Sequence, residues 1–220
     1  MEKLLTGETS LAEEITSILR SRIITGEYEM GEKLIENKIA KELKVSRTPV
    51  RDAFKELTKD GLVEYVPNKG CFAKGFSKKD MADIYKVRTA VEQLAIEMAI
   101  ENKDEETMQK LREQLEVMNF YTEQKMSDRL LQANEEFHNL IYQMTKSRFI
   151  VQVLKSYQDY VHLARKSTLS KETNLPEIYQ EHVQILETLE AGDIERAKEV
   201  VAKHLDGSAH RAFERWIEKK

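Results

Sequence analysis

The hydrophobic period of this chain changes at Gly61 and changes back beyond Gly75, and no other feature constrains its fold so tightly. Before Gly61 the apolar residues recur at helical spacing. Leu11, Ile15, Ile18, Leu19 and Ile23 mark an amphipathic helix from Ser10 to Thr25, with Ser10 and Glu13 at capping-box spacing and Gly26 as the stop. Gly31 opens a loop before a short helix over Glu36–Leu43, whose Ile39, Ala40 and Leu43 face inward. Lys44 and Val45 make a tight connection. Ser46 is placed to cap a third helix that runs to Asp60, with Pro49 in its first turn and Val50, Ala53, Phe54 and Leu57 as its apolar stripe. After Gly61, Leu62–Val66 reads as a strand, Pro67–Gly70 as a turn and Cys71–Ala73 as a returning strand. Two helices joined by a short turn and followed by a β-hairpin predict a winged helix-turn-helix.

Beyond the linker the helical period returns. Met81, Ile84, Val87, Val91, Leu94, Ala95 and Met98 mark one long helix, and Leu111, Leu115, Met118 and Tyr121 a second, to Lys125. Asp128–Thr145 is a third, carrying Leu130, Leu131, Phe137, Leu140 and Ile141. Phe149 to Lys166 is a fourth, with Val153, Leu154, Tyr157, Val161 and Leu163. Pro176 opens a fifth that ends at Gly192, and Asp193 caps a sixth running towards Trp216. Six helices with short joints predict a bundle. With 220 residues, 8 glycines and 3 prolines, the chain suits two mainly helical domains. The expected division is a winged helix-turn-helix over 1–74, a linker over 75–78 and an all-helical bundle over 79–220.

Charge distribution matters more than its sum. The formal net charge of −4 argues at first sight against a nucleic-acid partner. Yet Gly31–Lys74 holds ten Lys and Arg against seven Asp and Glu, a local excess of basic charge. Phosphate contact responds to that local field. No apolar run is long enough for a membrane span, and Met1–Ser10 does not read as a signal peptide, so the expected location is the cytoplasm. The single cysteine, Cys71, excludes an internal disulfide framework and a thiolate metal cluster.

In a helix-turn-helix the N-terminal end of the second helix reaches base edges in the major groove. Here that end reads Ser46-Arg47-Thr48-Pro49-Val50-Arg51. Arg47 and Arg51 are one turn apart and share a face, and arginine grips guanine or phosphate through two points. Thr48 suits a phosphate or a thymine methyl. Lys38 lies on the preceding helix, and Lys69 and Gly70 sit at the wing tip, where a small residue admits close backbone approach. Taken singly, each of these is equally at home as a solvated surface residue. The ordered set of capped helix, tight turn and wing is what points to double-stranded DNA.

In the bundle, Asn134 and His138 lie one turn apart on one helix, while His182 and His204 fall on the fifth and sixth helices. Side chains from facing helices of a bundle can converge on one internal metal, and imidazoles suit zinc, nickel or another divalent first-row ion. The bland alternative is four unrelated polar side chains on helix surfaces. Arg88 and Glu92 are spaced for an i,i+4 ion pair, worth a few tenths of a kcal/mol if exposed. Glu135-Glu136-Phe137-His138 contains one Glu-x-x-His, the motif that di-iron bundles use twice, so a metal-dependent bundle enzyme is the competing reading. No second copy of that motif occurs.

At these residues the chain resembles a known family. The run from Gly31 to Val63, with its Val-Ser-Arg-Thr-Pro-Val-Arg core and Leu-x-x-x-Gly-Leu-Val end, is similar to the DNA-binding domain of GntR-family bacterial transcriptional regulators. The helical remainder, opening with Tyr85-Lys-Val-Arg88-Thr-Ala-Val-Glu92, resembles the FCD effector domain of the FadR-like subfamily. That resemblance implies a homodimer on a pseudo-palindromic operator. It implies Arg47 and Arg51 as main base readers, assisted by Lys38 and the wing. It implies a metal held by Asn134, His138, His182 and His204, and an effector clamp at Arg88 that grips a small carboxylate metabolite with the metal. Asn134 stands where the family commonly has Asp, and a neutral amide oxygen binds a dication more weakly than a carboxylate does.

Overall fold

The computed structural model describes residues 10–75, 77–156, 160 and 174–218. The chain divides into two compact units, with the boundary between Ser77 and Lys78.

In the first unit α1 spans Leu11–Ile24. The Ser10 hydroxyl accepts from the Glu13 N–H at 3.2 Å, and the Glu13 carboxylate accepts from the Ser10 N–H at 2.8 Å. This reciprocal pair satisfies two of the orphan donors at the helix start. Ile15, Leu19 and Ile23 are buried, whereas Leu11 and Ile18, expected on the same stripe, are exposed. Helix α2 spans Glu36–Leu43 and closes on Lys44, whose backbone is left-handed at φ 56°. Helix α3 follows over Arg47–Lys59 and buries Val50, Ala53, Phe54 and Leu57. Ser46 has the extended backbone of an N-cap, but its side chain makes no capping hydrogen bond, contrary to expectation. The helix start relies instead on Pro49, which needs no N–H partner.

The wing is a sheet of three strands and not the expected hairpin of two. Strand β2 is Val63–Val66 and β3 is Gly70–Ala73, paired antiparallel with Val63 opposite Ala73 and Val66 opposite Gly70. Strand β1, Lys33–Leu34, adds to the other edge of β3, giving the order β1-β3-β2. The stretch read as loop is thus tied down by non-local bonds: the Gly31 N–H donates to the Ala73 carbonyl at 2.7 Å, and the Ala73 N–H donates to the Glu32 carbonyl at 2.8 Å. At the tip, Asn68 and Gly70 both have positive φ, at 61° and 103°. Asparagine and glycine are the residues that accept this conformation most readily.

In the second unit the helices are α4 (Lys78–Glu101), α5 (Glu105–Glu123), α6 (Ser127–Met144), α7 (Arg148–Ser156), α8 (Leu175–Ala191) and α9 (Ile194–Glu218). The parts of the fourth expected bundle helix around Tyr157, Val161 and Leu163 lie outside the described residues. Asp104 caps α5, accepting from the Thr107 N–H at 2.9 Å. Gly192 ends α8 in the left-handed conformation, φ 69°. Asp193 accepts from the Arg196 N–H at 3.0 Å at the start of α9. Helix α4 packs against α6 and α9, α5 against α6 and α8, and α8 against α9. Leu111, Met118, Leu130, Phe137, Leu189, Ala197 and Leu205 form the centre of one core.

The buried stripe of α4 differs from the expected one. Val87 and Leu94 are exposed, and the inward face runs Met81, Tyr85, Arg88, Glu92, Ala95, Ile96 and Ala99. From Met81 to Ala95 its spacing alternates four and three, that of a packed helix face, with two charged residues inside it.

Candidate nucleic-acid interface and buried histidine cluster

The N-terminal end of α3, expected to read DNA, is solvent-facing. Arg47 and Arg51 side chains are 58% and 54% exposed, and Ser46, Thr48, Lys38 and Lys69 are exposed as well. Gly70 at the wing is half-buried. The structure adds a residue that spacing did not reveal. Glu36, the first residue of α2, joins both arginines: Arg47 Nη2 donates to Oε2 at 3.2 Å, and Arg51 donates from Nε to Oε1 at 3.3 Å and from Nη2 to Oε2 at 3.1 Å. The hydrogen bonds from Arg51, seconded by Arg47, hold the Glu36 carboxyl below its ordinary range. The two guanidinium groups are thereby drawn towards one carboxylate while their side chains stay more than half exposed.

The second unit gathers its polar residues inside. His138 on α6, His182 on α8 and His204 on α9 are all buried, and their ligand-capable nitrogens lie within 4.8 Å of one another. The ring centroids are 5.2 Å apart for His138 and His182, 5.2 Å for His138 and His204, and 4.7 Å for His182 and His204. Phe137 stands edge-on to His182 at 5.2 Å and closes one wall. Asn134 is buried one turn before His138 on the same helix. His210 is exposed, and His162 lies outside the described residues.

Two of the outer nitrogens are held by hydrogen-bond acceptors, and the third stands near a carboxylate. His182 Nδ1 lies 2.7 Å from the Ile178 carbonyl oxygen, which can only accept, so Nδ1 carries the proton and Nε2 the lone pair. His204 Nδ1 lies 2.7 Å from Glu181 Oε2, with the same result. His138 Nδ1 lies 3.6 Å from Glu92 Oε2. His138 Nε2 and His182 Nε2 are 3.3 Å apart. At that separation one ring donates to the other, or both turn lone pairs to a shared cation. Three buried imidazoles with carbonyl and carboxylate acceptors behind them fit a divalent first-row metal.

Each of the two carboxylates also engages an arginine. Arg88 Nε donates to Glu92 Oε1 at 2.5 Å, and Arg88 is buried to 2% exposure. Burial opposes the Arg88 charge, but the Glu92 carboxylate outweighs it and holds the guanidinium protonated beyond its ordinary value. Its Nη1 is buried with no hydrogen-bond partner among the described residues. On the other side Arg211 grips Glu181 through Nη1 and Nη2, both at 2.8 Å. Glu92 and Glu181 therefore each link an arginine to a histidine. Sequence spacing identified the three histidines and the Arg88–Glu92 pair, but not Glu181 or Arg211. A signal was available on α9, where the buried positions Ala197, Val201, His204, Ser208 and Arg211 follow one helix face. The Glu-x-x-His pattern does not assemble: the cluster among the described residues contains neither Glu135 nor Glu136.

A winged helix-turn-helix with outward arginines, carried on one chain with a helical unit that has a polar centre, defines the class of DNA-binding transcriptional regulators. Residues 11–73 match the gntR family of bacterial regulatory proteins, and residues 83–207 match the FCD domain. The chain belongs to the GntR family and carries an FCD domain. It is 31% identical over 189 residues to the HTH-type transcriptional regulator YdhC of Bacillus subtilis, covering 86% of this chain and 84% of that protein. It is 29% identical over 172 residues to the gluconate operon transcriptional repressor of Bacillus licheniformis, covering 78% of this chain and 70% of the repressor. The structure of E. coli McbR/YncC shares the fold, with a TM-score of 0.73 at 20% identity, covering 95% of this chain and all of that one. These families and relatives are transcriptional regulators, so the enzyme alternative is set aside. No helix among the described residues is long and apolar enough to cross a membrane.

Proposed function

We propose that this regulator is a metal-dependent, ligand-responsive repressor of the FadR-like subfamily, acting in the cytoplasm as a homodimer on a pseudo-palindromic operator. Residues 1–74 read DNA and residues 79–220 sense the ligand, joined by 75–78. Arg47 and Arg51 read base edges, Ser46 and Thr48 contact the adjacent backbone, and Lys38, Lys69 and Gly70 approach the phosphates. His138, His182 and His204 hold a divalent ion, zinc or nickel, with the Asn134 amide oxygen as a fourth donor. When bound, the ion supplies a Lewis-acidic point for a carboxylate oxygen.

The observation that carries this reading is the convergence of three buried imidazoles in the unit that also buries Arg88, whose Nη1 donor has no partner among the described residues. A small carboxylate metabolite brings the acceptor that this donor lacks, and Arg88 binds and orients it by a charge-assisted bond. Glu92 keeps Arg88 charged in an apolar setting, so the clamp is formed before the ligand arrives. The ligand then shifts the population of the dimer that fits the operator, to the extent that it binds one conformation better than the other. The exposed Val87 and Leu94 on α4 give a second copy an apolar face to cover.

Selection of bound duplexes from a random pool, repeated with a panel of small mono- and dicarboxylates, tests the whole reading. The expected result is an enriched two-fold symmetric sequence whose retention changes with one class of acid. Arg47→Ala combined with Arg51→Ala lowers affinity for that sequence by about a hundredfold or more, given roughly 1–3 kcal/mol per bidentate base contact. Arg88→Met leaves the sequence preference and removes the acid response. An enriched sequence that every carboxylate leaves unmoved overturns the effector assignment, and normal selection by the double arginine variant overturns the reading helix.

A further inference from the structure

Helix α9 carries a glycine in its interior, at Gly207. Glycine is unfavourable there relative to alanine, because the chain gives up more freedom to become helical. Its surroundings supply a reason. A Cβ at this position would stand 3.0 Å from Glu181 Oε1 and 3.1 Å from Arg211 Nη1. Those are the two atoms that form one arm of the Glu181–Arg211 fork, itself closed at 2.8 Å on both arms. The bare Cα makes room for that fork one turn beyond His204 and one turn before Arg211.

The fork does more than neutralise a charge. Glu181 Oε2 accepts at once from Arg211 Nη2 at 2.8 Å and from His204 Nδ1 at 2.7 Å. A carboxylate has only acceptors, so the proton on His204 must sit on Nδ1, and Nε2 is left as the basic nitrogen. Arg211 fixes the carboxylate in the plane that this bond needs. An anionic partner behind an imidazole also raises its basicity as a ligand. The acceptor behind His182 is a neutral carbonyl, that of Ile178, so the two rings are supported unequally.

We propose that Glu181 is a positioning residue of the metal site, locked by Arg211 and admitted by Gly207, and that this trio sets the tautomer, orientation and donor strength of His204. The inference rests on the metal reading above and deepens it. It gives a role to three residues that neither touch the ion nor reach the effector clamp.

The full-length protein, stripped with a chelator, is titrated with Zn²⁺ against a chromophoric competitor. Glu181→Gln is expected to weaken zinc about 10- to 100-fold, the usual cost of removing such a partner. Gly207→Ala is expected to weaken it several-fold, although alanine is the better helix former, because the added methyl crowds the Oε1–Nη1 arm of the fork. The Co²⁺-loaded variants should show altered visible absorption, a signature of changed donor geometry that a loss of stability alone does not produce. His138→Ala is the control, and it should abolish zinc binding at the same concentrations. If His138→Ala abolishes binding while Glu181→Gln and Gly207→Ala bind zinc as the parent does, the positioning role is wrong and the metal reading stands. If His138→Ala binds zinc unchanged, the metal reading is wrong and this inference goes with it. Should Glu181→Gln fail to fold, Gly207→Ala carries the test alone.

Discussion

The two units use the same chemical pairing, an arginine hydrogen-bonded to a glutamate, in opposite surroundings. At the reading end, Glu36 meets Arg47 and Arg51 with those arginines more than half exposed. In the bundle, Glu92 meets Arg88 where both are within 4% of full burial. Water and salt screen the first contact, so it is weak and readily exchanged. The second has given up its hydration, and removing either partner strands the other in an apolar setting. On the function proposed above, the exposed pair suits arginines that exchange a carboxylate for a base edge. The buried pair suits an arginine that must stay charged and in place.

The largest expected effect breaks the comparison on its buried side. Glu92→Ala leaves Arg88 charged and unpaired, and should cost the helical unit about 3–5 kcal/mol. Hydrogen exchange resolved by residue should show the loss across α4, α6 and α9, with the protection of α3 unchanged. A cost below about 1 kcal/mol would mean that water reaches the pair and that the contrast is false.

A smaller effect lies on the exposed side. Glu36→Gln should leave the protection of the first unit nearly unchanged, yet raise affinity for non-specific duplex severalfold by removing an anion beside two exposed arginines. Specificity, read as the ratio of operator to non-specific affinity, should fall. An unchanged ratio would show that Glu36 plays no part in aiming the forks.

The smallest effect is on pH. The Glu36 carboxyl is held below its ordinary value by the hydrogen bonds from Arg51 and Arg47. A group depressed on folding adds stability above its unfolded value and loses it as pH falls through the folded one. Exchange protection in α2 and α3 should therefore decline slightly below the ordinary carboxylate range, and less so at high salt. Flat protection across that range would place the pair's contribution below detection.

Most of the first unit was legible because its signals are local. Ser10 with Glu13, Gly26, Pro49 and the Asn68–Gly70 turn each act within a few residues, and the helices and wing fall close to where those residues place them. Strand β1 was not legible, since two residues show no period and its hydrogen bonds go to a strand almost forty residues later. Ser46 had the residue type of a cap without the bond. The histidines were legible as types with metal chemistry. Glu181 and Arg211 were not, because a charged residue on an amphipathic helix normally points to water. The clue lay in phase: Arg88 and Glu92 occupy the inward positions of α4, whereas Val87 and Leu94 occupy outward ones.

The order in which the chain is made gives the histidine cluster a further meaning. His138 and His182 are 44 residues apart, and His204 comes later still. The reading unit is complete in sequence by Ser77. Domains tend to fold in the order of their synthesis. During each round of translation there is thus an interval in which the first unit is complete in sequence while the residues of α9 are still to be added. On the function proposed above, a product broken off inside that interval would carry the DNA-reading residues without the third histidine of the cluster, and its expected effect is misregulation rather than absence.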